Sequence, residues 1–187
     1  MSLTVSTENA PSDAHLYVAI DCEFVGVGPE GAHDQLARVS LVDYFGSVLL
    51  DVFVRGPRAI VDYRTAVSGI TPELMLNGID FNAARLAVAK LIQGKVLVGH
   101  SIKHDLLVLQ INWKKYSLRD SQDHRPFSRR RRPQKLKYLA RGIGLLIQTG
   151  EHSSVEDAQA VMAVYRAYKD DMDSCCEHYN RGGQQEG

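Results

Sequence analysis

Five residues combine a chemistry-bearing side chain with a telling position: the carboxylates Asp21, Glu23, Asp105 and Asp157, and the imidazole of His152. Asp21 and Glu23 end an apolar run, Tyr17 to Phe24 (YVAIDCEF), with Cys22 between them. On a strand, side chains alternate between faces, so the two acids share one face and Cys22 takes the other. Two residues of rise set their stems roughly 6.6 Å apart. Asp105 completes an i, i+3, i+4, i+7 set with Ile102, Leu106 and Leu109, the face of a helix meant for the core. Asp157 stands four residues before Val161, on the apolar side of the last helix. An unpaired carboxylate in such a place costs several kcal/mol unless a cation or strong hydrogen bonds meet it. One buried acid is ordinarily an internal cap or salt bridge. Four of them, with no Lys or Arg at matching positions on those apolar faces, point to a metal site. Oxygen-only ligands select hard cations such as Mg²⁺ or Mn²⁺. Four carboxylates offset most of the charge of two divalent ions about 3.5–4 Å apart, the arrangement that serves in-line phosphoryl displacement. His152, five residues before Asp157, is placed to take a proton from a water near neutral pH.

Positioning these groups requires a strand and two helices that meet, and the pattern supplies them. After the opening strand and a Gly-rich loop, Leu36 to Asp43 and Ser47 to Val54 alternate as strands around the Tyr44-Phe45-Gly46 connection, which predicts a three-stranded antiparallel meander. Asp62 is expected to cap a short helix ended by Gly69, and Thr71-Pro72-Glu73 to open another. A helix with Leu86, Val88, Ala89, Leu91 and Ile92 on its apolar face is expected from Phe81 to Gln93, followed by the short buried strand Lys95 to Gly99. Ser101 opens the helix of Asp105, and Ser117 to Asp120 form a further strand. An Arg-rich loop leads to a helix from Leu136 to Arg141 and a last one from Ser154 to Lys169. Its start carries two overlapping capping-box patterns in Ser153-Ser154-Val155-Glu156-Asp157. The fold expected is one α/β domain, a mixed β-sheet flanked by α-helices, at 16–170, between a polar lead-in at 1–15 and a polar tail at 171–187.

Composition is ordinary for a globular chain, 44% hydrophobic and 24% charged, with a formal net charge of zero, so charge alone does not announce a nucleic-acid partner. The distribution is uneven: Arg129 to Arg132 are consecutive, with Lys135 and Lys137 behind them, a run that is either a solvated loop or a phosphate-binding rim. Three cysteines form neither a disulfide framework nor a metal spacing, which favours a reducing compartment. No apolar stretch is long enough to span a bilayer, so no membrane role is expected.

Asp21-Cys22-Glu23, Gly99-His100-x4-Asp105 and His152-Ser153-Ser154-Val155-Glu156-Asp157-Ala158 resemble the three motifs of the DEDDh exonuclease superfamily, whose fold is like that of ribonuclease H. The strings DCEFVGVGPEG, LARVSLVDYFG, DYRTAVSGITPE, VLVGHSIKHDL and GEHSSVEDA resemble the RNA exonuclease 4 family within it. The resemblance implies a 3′→5′ exoribonuclease in which Asp21, Glu23, Asp105 and Asp157 hold two Mg²⁺ or Mn²⁺ ions. His152 then acts as base, and nucleoside 5′-monophosphates leave. It further implies single-stranded RNA 3′ ends as substrate, ribosomal RNA processing, and a nuclear, nucleolar location; the alternatives are a DNA 3′→5′ exonuclease of the same superfamily and a non-catalytic RNA-binding module that keeps the fold. Substrate contacts are expected from Phe24, Arg64, His100, Arg129 and Arg130. Phe24 keeps a second reading, a core ring on the Cys22 face. Asp120 is expected to support the site rather than ligate.

Two other signals fail. Gly26-Val27-Gly28-Pro29-Glu30-Gly31 is a G-x-G-x-x-G, but a strand follows where a dinucleotide site requires a helix. His100 and His104 have zinc-like spacing, and His104-Asp105 matches the doublet of HD-type phosphohydrolases, which belongs to an all-helical fold. Here a strand leads directly into that helix, and His104 is expected to face solvent beside Lys103.

Overall fold

Strand β1 (Tyr17–Val27) is the axis of the molecule, an 11-residue run buried along most of its length. The computed structural model describes residues 11–129, 132–148, 150 and 152–174. After β1 come β2 (His33–Asp43), β3 (Val48–Arg55), β4 (Ile60–Asp62), α1 (Thr65–Ser68), α2 (Pro72–Met75), β5 (Ile79–Asp80) and α3 (Phe81–Leu91). Then follow β6 (Val96–Gly99), α4 (Ile102–Val108), β7 (Ser117–Asp120), the hairpin β8 (Ser128–Arg129) and β9 (Arg132–Pro133), α5 (Leu136–Gly142) and α6 (Ser154–Ala167).

The main sheet has the order β5-β3-β2-β1-β6-β7, and β4 pairs with the far end of β1. β1, β2 and β3 form the expected antiparallel meander, while β6 and β7 extend it in parallel with β1. Alternation along β1 sorts the core into two layers. Tyr17 and Ala19 pack with α5 and α6, and Val18, Ile20 and Cys22 pack with α3 and α4. A bulge at Glu23/Phe24 re-aims the strand just past the acid pair.

Several local expectations change. Leu86 is 64% exposed, and Ala84 and Val88 form the buried stripe of α3, continued by Ile92 just past its end. Asp62 accepts from the Arg64 amide, but the residue that starts α1 is Arg64 itself, in the left-handed region at φ 52°. The capping box before α6 does not form. Ser153 makes no side-chain cap bond, and the Ser154 hydroxyl is taken by Ser40 at 2.7 Å. Both ends of the domain are also better anchored than polarity suggested. Asp13 accepts from the Tyr17 hydroxyl, Met172 is buried, and Asp173 pairs with Arg119 and Lys169. The G-x-G-x-x-G segment runs from β1 through a 3-10 turn at Pro29–Gly31 into β2, with no helix to receive a pyrophosphate.

Candidate metal and catalytic site

Three elements converge on the C-terminal part of β1. Asp21 lies opposite Ser40 and Glu23 opposite Arg38 on β2. The Ser40 hydroxyl, hydrogen-bonded to Ser154 and to Asp51, fastens the first residue of α6 to the sheet, and Asp157 follows one turn later. The result is a cluster in which one ligand atom from each of Asp21, Glu23 and Asp157 lies within 4.8 Å of the others. The other helix starts where β6 ends. A Cβ on Gly99 would meet Ile102 Cβ at 2.7 Å, so only glycine lets the chain turn from β6 directly into α4. Asp120 completes that turn: its carboxylate accepts from the amides of Ser101, Ile102 and Gln122. Its oxygens are thereby occupied, which makes it a support, as expected. Asp105, buried on α4, approaches from the opposite layer and stands outside the 4.8 Å set.

The electrostatics are those of a cation site. Glu23 Oε1, Asp105 Oδ2 and Asp157 Oδ1 are buried without a hydrogen-bond donor among the described residues. Desolvation pushes the Glu23 carboxyl up to about 8, Asp157 adds to this, and Arg38 opposes it. Arg38 is a basic neighbour that the sequence pattern missed, but both arms of its fork are held by Asp51 at 2.8 Å. Asp21 is raised well above the usual carboxylate range by desolvation, then by Asp105, Asp157 and Glu23. Asp105 is raised by desolvation, then by Asp120 and Glu23. Asp157 is raised by desolvation against the lowering influence of Gln148 and His152. Like charges this close ionise together only with positive charge among them. Orphaned hard oxygens on an all-carboxylate donor set fit Mg²⁺ or Mn²⁺.

A cavity of about 330 Å³ opens over the cluster, bordered also by His100, His152, Gln148 and Lys135. His152 is half-buried, its amide donates to the Val67 carbonyl, and its Nδ1 stands 3.7 Å from Asp157 Oδ2. His100 accepts or donates at Nδ1 with the Ser121 hydroxyl, and desolvation lowers its pKa, which favours the neutral ring. Gln148 is a residue that sequence reasoning missed. Its amide nitrogen donates to Asp157 Oδ2 at 2.9 Å, from a backbone in the left-handed region at φ 54°. No periodicity marks a loop residue of this kind; a positive φ on a residue other than glycine becomes visible only in three dimensions.

Phe24 and Arg64 are not among the residues that line this cavity. Phe24 is half-buried on the Cys22 face and meets the His104 ring edge-on at 5.0 Å. His104 is not simply beside Lys103: its Nε2 bonds Asp34, and the other Asp34 oxygen takes Arg64 Nη1 at 2.6 Å. Arg64 also donates to the Gly31 carbonyl. Phe24, His104, Asp34 and Arg64 thus form one connected wall, joined to His152 through the α1 backbone. Arg129 pairs with Arg132 in the β8–β9 ladder, and Arg130 lies outside the described residues.

Comparison with known proteins agrees with this geometry. Residues 18–165 match the Exonuclease family model, RNase_T. "RNA exonuclease 4" of Candida glabrata is 45% identical over 174 residues, 91% of this chain and 66% of that protein. Its namesake in Saccharomyces cerevisiae is 46% identical over 169 residues, 88% of this chain and 58% of that protein. The chain therefore spans less than two thirds of the length of these relatives. Among solved structures, the Saccharomyces cerevisiae apo Pan2 pseudoubiquitin hydrolase–RNA exonuclease module in complex with A7 RNA is 29% identical. It superposes with a TM-score of 0.73 over 96% of this chain and 33% of that one. The same module with AAGGAA RNA gives 0.73 at 27% identity, over 98% and 35%. The mixed sheet and its flanking helices are those of the ribonuclease H-like fold expected above. Because the family match runs from β1 into α6, across every element that carries an acid of the cluster, the chain belongs to the Exonuclease family.

Proposed function

We propose that the chain is a metal-dependent 3′→5′ exoribonuclease that releases nucleoside 5′-monophosphates from single-stranded RNA. The observation that carries the reading is the trio Asp21, Glu23 and Asp157, brought within 4.8 Å from a strand and a helix, with a buried oxygen of Glu23 and one of Asp157 lacking donors among the described residues. RNA as substrate is supported by the relatives' names and by the RNA-bound Pan2 modules; the 3′→5′ polarity rests on the motif resemblance.

Asp21, Glu23 and Asp157 would hold the cations, with Asp105 closing the set from the α4 side. When bound, two divalent ions supply Lewis-acid stabilisation of the attacking and leaving oxygens and offset the acid charge. His152 accepts the proton of the attacking water at Nε2, since Nδ1 is the ring nitrogen near Asp157. Gln148 holds Asp157 Oδ2 and leaves Oδ1 for the cluster. Phe24 and Arg64, linked through His104 and Asp34, meet the terminal nucleotide. Arg64 spends two donors on Asp34 and Gly31 and has others left from its five N–H groups. His100 borders the bound nucleotide, and the phosphate contacts expected of Arg129 and Arg130 rest on the sequence alone.

The deciding experiment uses one oligonucleotide as RNA and as DNA, labelled at its 5′ end, with Mg²⁺, Mn²⁺ or EDTA. A ladder shortening from the 3′ end of RNA, abolished by EDTA and by Asp21→Asn, is expected. Internal cuts, or full activity in the variant, overturn the reading, and faster removal of DNA reassigns the substrate. His152→Ala is expected to slow cleavage by ~10²–10⁴ while RNA still binds; loss of binding instead makes His152 a substrate contact. A role in ribosomal RNA processing in the nucleus, read from the resemblance alone, belongs to the same proposal. It predicts 3′-extended ribosomal precursors on depletion, and an unchanged precursor pattern removes it.

A further inference from the structure

The chain is neutral as a whole, yet the stretch of sequence that supplies Lys135 to the pocket is rich in basic residues. Between positions 124 and 150 the sequence holds eight Lys and Arg and no Asp or Glu. This segment folds as the β8–β9 hairpin and α5, and Lys135, at the N-terminal edge of α5, lines the same cavity as Asp21, Glu23 and Asp157. Lys135 is exposed and enters none of the ion pairs found among the described residues.

One helical turn farther along, Tyr138 is 54% exposed, while Leu136, Leu139 and Ala140 carry the packing of the same helix. Residues three apart on a helix are surface neighbours, so Tyr138 lies next to Lys135 on one side and Arg141 on the other. The Lys137 ammonium stands 5.4 Å from the centroid of the Tyr138 ring. A surface tyrosine usually needs no explanation. This one has Lys135, Lys137 and Arg141 beside it, has no acid on its helix, and is one turn from the acid-lined cavity. Aromatic faces that stack bases, with cations beside them for the phosphates, are the recurring means of gripping unpaired nucleic acid.

We propose that the outer face of α5 is the subsite for the nucleotides immediately 5′ of the scissile bond in single-stranded RNA. Lys135 takes the phosphate at the pocket mouth, and Tyr138 stacks on the base one step upstream. The site is confined to these two side chains with Lys137 and Arg141, and rests on the reading of the pocket as a nuclease site. It also gives a reason for a preference for unpaired ends, since a base inside a duplex cannot stack on Tyr138.

The test is fluorescence anisotropy of the full chain with a 5′-labelled single-stranded RNA of about eight nucleotides, a length within the range one nucleic-acid groove covers, in EDTA so that nothing is cut. Tyr138→Ala is expected to weaken binding about 10-fold and Tyr138→Phe to restore it. Lys135→Gln is expected to reduce the slope of log affinity against log salt by about 0.7. Both positions are exposed, and thermal melts by circular dichroism check that the variants fold. Wild-type affinity in Tyr138→Ala together with an unchanged salt slope in Lys135→Gln overturns the inference. The cleavage assay on wild-type protein is read separately, so failure of the nuclease reading shows there and not in the comparison of variants.

Discussion

Asp157 shows how much one side chain depends on its neighbours. Its Oδ2 is held by Gln148 and its Oδ1 is buried without a donor among the described residues, so the hydrogen bond fixes the carboxylate and leaves Oδ1 open to a cation. Gln148 occupies a backbone region that costs a residue other than glycine on the order of 1 kcal/mol, which the fold tolerates when the side chain is needed. Gln148→Gly removes the strain and the donor together, so stability and metal affinity are read separately on one variant. The variant is expected to keep its melting temperature within a few degrees yet to need about 10–100-fold more Mn²⁺ to fill the site, read by titration calorimetry. Wild-type metal affinity would refute a positioning role. Cys22, by contrast, is packing: burial raises its thiol pKa well above normal, with Asp105 adding to it, which leaves an inert protonated thiol.

At the scale of elements, the site depends on where two helices begin. α4 starts on the end of β6 because Gly99 permits the close approach and Asp120, from the neighbouring strand, takes the first amides. α6 starts against β2 because Ser154 and Ser40 share a hydrogen bond in a fully buried position. Asp120→Ala leaves three amides without their acceptor and is expected to destabilise the chain by about 1–3 kcal/mol. It should also lower cleavage, since His100 and Asp105 ride on that turn. Denaturant melts and the cleavage assay check both, and an unchanged midpoint would contradict the cap. Much of this level is legible in the sequence. The alternation of the meander, the apolar face around Asp105 and the run KVLVG into Ser101 all follow from local periodicity. The capping box before α6 does not survive, because tertiary contact offers Ser154 a better partner than its own helix.

For the molecule as a whole, the acid cluster makes stability depend on pH and on metal. Without a cation, Glu23 keeps its proton in the folded chain up to about 8, while in the unfolded chain it loses it near 4.5. The folded state therefore binds more protons between those values. Its contribution is full below about 4.5 and is lost as pH rises towards 8, and Asp21, Asp105 and Asp157 are shifted in the same direction. Asp34, Asp51 and Asp173, all lowered, act oppositely: what they contribute is lost as pH falls below the usual carboxylate range. In EDTA the melting temperature is expected to fall from pH 5 to pH 8, and Mn²⁺ to raise it more at pH 8 than at pH 5. A flat metal-free profile would mean that the cluster is less crowded than its geometry shows. The anchoring of Met172 and Asp173 against the back of the sheet belongs to this scale too, since a polar tail gave no local sign of it. Among the described residues no helix is long and apolar enough to cross a membrane.

Residue order alone determined the strand with two acids on one face, the two helices whose apolar faces are broken by Asp105 and Asp157, and the histidine before the last helix. Period-2 and period-3.6 patterns are local properties, and a carboxylate that violates them stands out wherever the element ends up. Tertiary structure decided which acids meet: Asp21, Glu23 and Asp157 close to one another, with Asp105 arriving from the other layer. It also recruited Gln148 and Lys135 to the pocket and tied Phe24 to Arg64 through His104 and Asp34. Gln148, Lys135 and Arg64 lie outside the regular elements or at their starts, and the meeting of Phe24, Asp34 and His104 joins two strands and a helix; in both cases position follows from the packing of distant elements, and no short-range pattern records it.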